Sequence, residues 1–195
     1  MSAPAARPLT VLIAALGGEG GGVLCNWLVD ALEAKGLPVQ ATSIPGVAQR
    51  TGATTYYLEI WPEPWSALAG KTPVLALAAT PGEVDVVVAS ELLEAGRCLS
   101  LGYVTPDRTT LIATKHRVFT TTEKIAMGDG RLDDAAILDA AQARAQRLVR
   151  LDMQAAATAA GAPISAVMLG AICGAGVLPL DDADFRAAVE REAKA

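Results

Sequence analysis

The apolar run Val11–Leu16 passes directly into Gly17-Gly18-Glu19-Gly20-Gly21-Gly22, and this junction limits the possible folds more than any other stretch of the chain. A short run of buried apolar residues ahead of a glycine turn reads as a parallel strand, and Val23–Lys35 after it reads as a helix. Glycines there permit positive φ and let backbone N–H groups approach a ligand. The helix N-terminus adds a partial positive charge, so the unit is suited to an anion. A tight turn that packs closely and binds nothing has the same sequence.

The familiar owners of such a loop fit poorly. A dinucleotide fingerprint begun at Gly18 needs glycine or alanine where Val23 stands, and one begun at Gly20 lands on Cys25. It also needs an acidic residue near the end of the second strand, where the chain has Gln40 and Thr42. A nucleotide phosphate loop would need Lys and Ser or Thr at Val23 and Leu24.

At 195 residues the chain has room for one domain with an ordinary core. A hydrophobic share of 52% with only 4% aromatics points to a core of Ala, Val, Leu and Ile, which suits parallel strands under helices. Net charge of −5 argues against a nucleic-acid partner. Cys25, Cys98 and Cys173 are far apart and form no C-x-x-C pair, so neither a disulfide framework nor a metal or iron–sulfur site is assembled from this chain alone. They read as small buried hydrophobes in a reducing cytoplasm. The run after Arg7 is too short for a secretory signal, and Ala162–Leu180 is too broken by Pro163, Gly170, Gly174, Gly176 and Pro179 to span a membrane. Its Gly170-x-x-x-Gly174 face reads as a helix surface approached by another backbone.

Further strands are expected near Val39–Thr42, Thr54–Ile60, Val84–Ala89 and Thr109–Ala113, with a helix at Leu92–Leu99. The fold expected is α/β, a Rossmann-like three-layer sandwich with a mostly parallel sheet, followed by C-terminal helices. One domain covers residues 1–195, with the sheet core over about 1–130 and a helical part over about 131–195. Leu132–Ala160 reads as one long or bent helix, with later helices from Pro163 and over Phe185–Lys194. The chain stops in that charged helical segment without a C-terminal glycine, as a truncated or excised piece would. Trp61 and Trp65, among prolines, are either an exposed patch for a partner or caps on a sheet edge.

Candidate chemistry is sparse. His116 is the only histidine, in Thr114-Lys115-His116-Arg117 after a strand, where three neighbouring groups either hold an anion or form a solvated cluster. Glu19 in the glycine turn, and Glu91 and Glu94 after the Val84–Ala89 strand, offer polar hooks, but helix-start carboxylates explain all three without function. Gln49-Arg50-Thr51-Gly52 follows the Pro45-Gly46 turn, and a forked cation beside a hydroxyl and a bare backbone position suits phosphate or carboxylate. Two anion-ready loops, Gly18-Glu19-Gly20-Gly21-Gly22 and Gln49–Gly52, are expected at one cleft as cofactor-binding residues. No residue near them reads as catalytic and none as a metal ligand. Such a chain completes a site carried mainly by another.

In order along the chain, Gly17–Val23, Gln40–Tyr57, Ala79-Thr80-Pro81-Gly82-Glu83-Val84-Asp85, Ser90–Arg97, Thr105–Ile112 and Lys124–Gly130 resemble the beta subunit of indolepyruvate:ferredoxin oxidoreductases, the gamma-type domain of the 2-oxoacid:ferredoxin oxidoreductases. Arg50-Thr51-Gly52 stands where the wider family has Arg-Gly-Gly. The resemblance implies a subunit of an oxidoreductase that decarboxylates an arylpyruvate with coenzyme A, giving an acyl-CoA and reduced ferredoxin. It implies no cofactor held by this chain alone: thiamine diphosphate, magnesium and iron–sulfur clusters lie in a large partner subunit, in a cytoplasmic hetero-oligomer such as a dimer of heterodimers, without nucleic acid or membrane. The alternative from the residues alone is a stand-alone Rossmann-like module that binds a nucleotide or acyl-CoA, with an NAD-dependent dehydrogenase third.

Overall fold

Side chains alternate across strand β1 (Leu9–Leu16): Val11, Ile13 and Ala15 enter one core, while Leu12 and Ala14 enter another. A strand buried on both faces requires a layer on each side, and the rest of the chain supplies them. The computed structural model describes residues 7–45, 53–119, 123 and 132–194. After β1 come α1 (Gly21–Ala34), β2 (Val39–Pro45), β3 (Ala53–Ile60), β4 (Val86–Ala89), α2 (Leu92–Ser100), β5 (Thr110–Thr114), α3 (Asp134–Arg144), β6 (Arg147–Leu151), α4 (Met153–Ala160), α5 (Ile164–Ala175) and α6 (Asp182–Glu192).

The strands form one six-stranded sheet in the order β2-β3-β1-β4-β5-β6. Only β3 runs against its neighbours, pairing antiparallel with β1 and β2, while β1, β4, β5 and β6 pair in parallel. Helices α1, α4, α5 and α6 bury Leu24, Leu28, Met153, Met168, Ile172 and Phe185 on one face. On the other face α2 and α3 bury Ala95, Cys98, Leu99 and Ala141. This is the expected three-layer arrangement with a mostly parallel sheet.

One element contradicts the sequence reading. Leu132–Ala160 is two helices with a strand between them: α3 ends at Arg144, and Arg147–Leu151 pairs with β5 from Thr110↔Arg147 to Thr114↔Leu151. The arginines at 144, 147 and 150 suggest helical spacing, but β6 is an outer strand on which Arg147 donates to the Ala175 carbonyl at 2.7 Å and Arg150 is exposed. Backbone pairing with a strand over thirty residues earlier overrides local periodicity there. The sheet therefore extends into the part expected to be wholly helical. No helix among the described residues is long and apolar enough to cross a membrane.

The lower end of the sheet is tied by Asp85, 8% exposed. Arg7 donates to both of its oxygens at 2.9 and 2.7 Å, the Thr10 amide donates at 3.0 Å, and Thr10 Oγ1 donates at 3.1 Å. Arg108 approaches at 3.5 Å. Burial works to raise the Asp85 pKa, yet the Arg7 and Thr10 hydrogen bonds outweigh it and hold the carboxyl below its ordinary value. A depressed pKa stabilises the fold above the unfolded carboxyl's pKa of about 4 and is lost as pH falls through the folded value. We expect Asp85→Ala to cost about 3 kcal/mol at neutral pH, and Asp85→Asn to flatten the acid side of a melting-temperature profile. Parallel acid limbs in the two profiles would rule Asp85 out as a source of acid sensitivity.

Candidate functional site

The upper, C-terminal ends of β1, β4 and β5 bring three polar side chains together from distant parts of the sequence. Glu19 follows β1, Ser90 follows β4 and His116 follows β5. Ser90, fully buried, donates from Oγ to Glu19 Oε2 while accepting the Leu16 amide at 3.0 Å. Its own amide donates to the Ala14 carbonyl at 3.0 Å, so both its backbone and its hydroxyl are fixed by β1. His116 Nε2 lies 4.0 Å from the other Glu19 oxygen. Its position is set by its amide donating to Thr114 Oγ1 at 3.1 Å and its carbonyl accepting from Leu92 at 2.8 Å. The three form a polar floor beside the glycine turn.

The glycines divide into two kinds. Gly17 and Gly18 are exposed, and a Cβ at Gly18, φ 88°, would meet nothing within 4 Å. Gly20 caps α1 in the left-handed region at φ 72°, where a Cβ would come within 2.9 Å of Ser165 Cβ and Oγ. At Gly21 it would lie 2.5 Å from Ala15 Cβ and 2.8 Å from Tyr56 Cε2; at Gly22, 3.3 Å from Tyr56 Oη. Gly20, Gly21 and Gly22 therefore let α1 press onto β1, β3 and the start of α5, which begins the helix two residues earlier than expected. Gly17 and Gly18 are the part of the turn that faces outward, while the Glu19 side chain, 14% exposed, turns in toward Ser90.

Gln49, Arg50, Thr51 and Gly52 lie outside the described residues, as does the Lys124–Gly130 stretch. The strand ends that flank the first group are described: Pro45 pairs with Thr54 and Ala53 with Leu16, so both stand at the sheet edge that carries the glycine turn.

The trio expected at 115–117 is not a single cluster. Lys115 is exposed, and His116 turns toward Glu19. Arg117, with a side chain only 5% exposed, pairs with Glu123 and Asp134, donates to the Leu132 carbonyl and lies 5.3 Å from the Phe119 ring. The helix-start reading holds for Glu91, which caps α2 by accepting the Glu94 amide at 3.0 Å and also takes the Val118 amide at 3.3 Å. Burial raises its pKa. Glu94 pairs with Arg97 at 2.8 Å, and Arg97 reaches Thr55 of β3 at 3.1 Å.

Burial pushes the Cys25 thiol up to about 11 and the Cys98 thiol up to about 12. Cys173 departs from the expected pattern: it is half-buried and donates from Sγ toward Asp182 at 3.9 Å. The Gly170-x-x-x-Gly174 face is also unlike its expectation. No atom stands within 4 Å of a Cβ at either glycine, and the face lines a groove of about 550 Å³ with Phe185, Arg186 and Val189. Among the described residues no three His, Cys, Asp or Glu side chains converge as a metal site. Ser90, Ser165 and Tyr56 were not legible as site residues. Ser90 had one usable signal, its place directly after the apolar run Val86–Ala89, which matches the place of Gly17 after Val11–Leu16.

Residues 10–195 match the family model described as pyruvate ferredoxin/flavodoxin oxidoreductase. The chain belongs to that family. No protein of curated function matches this family member significantly in sequence. Its fold recurs in pyruvate oxidoreductase subunit PORC of Thermotoga maritima, with TM-score 0.60 and 16% identity over 95% of this chain and 85% of that one. It recurs in the gamma subunit of a keto/oxoacid ferredoxin oxidoreductase of Geobacter sulfurreducens, with TM-score 0.55 and 10% identity over 93% and 84%. A third is 2-oxoglutarate:ferredoxin oxidoreductase of Magnetococcus marinus, solved with 2-oxoglutarate, coenzyme A and succinyl-CoA bound, with TM-score 0.60 and 13% identity over 95% of this chain. This family member spans only 27% of that longer chain. At such identities the likeness is one of fold.

The packing role of Gly21 has a direct test. Gly21→Ala should cost about 1–3 kcal/mol in urea unfolding, since Ala15 Cβ sits on rigid backbone and α1 must shift. Ala15→Gly in the same chain should recover part of that loss, with a coupling of roughly 0.5–3 kcal/mol. Strict additivity of the two changes would mean that the helix does not press on β1 at this point.

Proposed function

We propose that this chain is the small, gamma-type subunit of a thiamine diphosphate-dependent 2-oxoacid:ferredoxin oxidoreductase, inactive alone and completing a pocket at the interface with a larger subunit. The observation that carries this reading is the family match over residues 10–195, in a fold that two solved relatives hold as separate subunits. We place the complex in the cytoplasm, with ferredoxin as its electron acceptor and a dimer of heterodimers as its assembly.

The donor set on the chain agrees with a division of labour. Cys25, Cys98 and Cys173 sit on three different helices, α1, α2 and α5, rather than on one cluster-binding loop. In this reading thiamine diphosphate, its magnesium and the clusters belong to the larger subunit, where they supply the carbanion and electron-transfer chemistry. The present chain contributes positioning. Gly17, Gly18 and Glu19 face the C-terminal edge of the parallel strands, where open α/β sheets bind ligands, and Ser90 fixes the Glu19 carboxylate. Arg50 and Thr51, joined to strand ends at that same edge, supply the cation and hydroxyl for the carboxylate of the oxo acid or a phosphate of coenzyme A. We assign an arylpyruvate of the indolepyruvate type as substrate, on the resemblance that includes Arg50-Thr51-Gly52.

The tagged chain should recover a larger, brown, thiamine-binding subunit from its native cell extract. That complex should reduce a viologen dye with indolepyruvate or phenylpyruvate only when coenzyme A is present. Elution of a colourless chain alone would overturn the subunit reading in favour of a stand-alone binding module. Faster reduction with pyruvate or 2-oxoglutarate would overturn only the arylpyruvate assignment. Within the complex, Arg50→Glu should cost on the order of 2–5 kcal/mol of anion binding, read as a raised KM for the oxo acid or coenzyme A. An unchanged KM for both would remove Arg50 from the pocket.

A further inference from the structure

The arginines of this chain divide by what they meet. Arg7, Arg97, Arg108, Arg117, Arg186 and Arg191 each lie within ion-pair distance of a carboxylate. Arg144, Arg147 and Arg150 are the described arginines that do not, and all three are exposed. They gather at one place, the end of α3 and the strand β6 that follows it. Lys115, also exposed, stands at the upper end of the same strand, where its amide donates to the Leu151 carbonyl at 3.1 Å. In a chain of net charge −5, whose other described arginines are paired within the fold, this edge is a local concentration of unpaired positive charge.

The backbone of β6 is open along the same line. The strand ends the sheet, with β5 on one side only. The Arg147 amide donates to the Thr109 carbonyl and the Leu151 carbonyl accepts from Lys115, so in a parallel ladder Arg147, Val149 and Leu151 turn their backbone groups toward β5. Those of Leu148 and Arg150 turn outward, and among the described residues no hydrogen bond closes them. The side chains alternate across the sheet: Val149 and Leu151 pack against the core under α4 and α5, and Leu148 against the core under α2 and α3. Arg147 shares the face of Val149 and donates to the Ala175 carbonyl at the end of α5, whereas Arg150 shares the face of Leu148.

Arg147 and Arg150 lie on opposite faces of the sheet, so a compact phosphate does not bridge them. An extended chain does, because its own side chains alternate between the faces while its backbone bonds the outward groups of Leu148 and Arg150. A second copy of this chain is the wrong partner by charge: β6 against β6 sets arginine against arginine, and the other outer strand, β2, carries no carboxylate to offer. We propose that β6 docks an extended, carboxylate-rich segment of a partner polypeptide, added to the sheet as a further strand with its carboxylates on Arg147 and Arg150 and beside Arg144. In the complex proposed above that partner is the larger subunit, so the docking edge rests on the subunit reading and adds to it the place and the chemistry of a contact. Charge on an outer strand also keeps like edges apart with nothing bound. The two roles differ in what happens to the outward amides.

Hydrogen exchange, compared between the purified chain and its complex with the larger subunit, separates them. The amides of Leu148 and Arg150 should exchange fast in the chain alone and slow on the order of tenfold or more in the complex, while those of Val149 and Leu151 are slow in both. Arg150→Glu should leave the melting temperature of the chain unchanged and weaken binding of the larger subunit about tenfold, by setting like charges across strands in place of opposite ones. That gap should close in about 1 M salt, where the screening length is about 3 Å. Lys71→Glu makes the same change of charge at an exposed site between β3 and β4 and should bind as the wild type does. Unchanged exchange at Leu148 and Arg150 with the larger subunit bound, wild-type binding by Arg150→Glu, or an equal loss with Lys71→Glu would each overturn the docking edge and leave the subunit reading intact. Slowing of those amides by inorganic phosphate alone, or in the isolated chain as its concentration rises, would also overturn it, in favour of an anion site or of paired copies. A chain that recovers no larger subunit would remove the subunit reading, and this partner with it.

Discussion

Every layer of the molecule depends on β1 being buried on both sides. Val11, Ile13 and Ala15 need α1, α5 and α6 on one face, while Leu12 and Ala14 need α2 and the end of α3 on the other. Its backbone is committed as fully as its side chains, to antiparallel β3 on one edge and parallel β4 on the other. A strand in that position leaves only its two ends to be polar. The lower end gathers Thr10, Asp85, Arg7 and Arg108, and the upper end gathers Ser90, Glu19 and His116. The first cluster closes on itself through multiple hydrogen bonds to one carboxylate, which is the pattern of a structural tie. The second opens onto an exposed glycine turn, where the proposed pocket lies.

The glycine turn serves packing and exposure at once. Gly20, Gly21 and Gly22 have no room for side chains because Ser165, Ala15 and Tyr56 occupy it, so α1 starts in contact with two strands and a second helix. Gly17 and Gly18 are not confined in that way. The reading of the loop as a close-packed turn therefore holds for Gly20, Gly21 and Gly22, and its proposed use as a ligand cradle falls to Gly17, Gly18 and Glu19. Helix α6 secures the arrangement from behind, through Lys35 to Asp184 at 2.5 Å and Arg191 to Asp30 at 2.7 Å.

Much of this was legible beforehand because it rests on local pattern. Unbroken apolar runs mark β1, β4 and β5, and the glycine junction marks the first crossover. The start of α6 could be read from Asp181 and Asp184, which form a reciprocal capping box. The cysteines were legible only in part, since Cys173 looks like Cys25 in sequence but is half-buried at a groove with Asp182 beside it, while Cys25 lies in the core. Arg117 was misread for the same reason. Its neighbours in sequence are Lys115 and His116, but its neighbours in space are Glu123 and Asp134.

The sequence by itself determined that the chain is an α/β sandwich around a glycine-turned first strand, because burial and turn chemistry act over a few residues and leave a periodic trace. Tertiary structure decided that Arg147–Leu151 is a strand, since its partner Thr110–Thr114 supplies hydrogen bonds that no local pattern records. It also decided which polar groups meet. Ser90, Glu19 and His116 are brought together by parallel strands that end at one edge, a juxtaposition fixed by strand order and register. Contacts of that kind join residues tens of positions apart, so each partner carries no mark of the other until the sheet has formed.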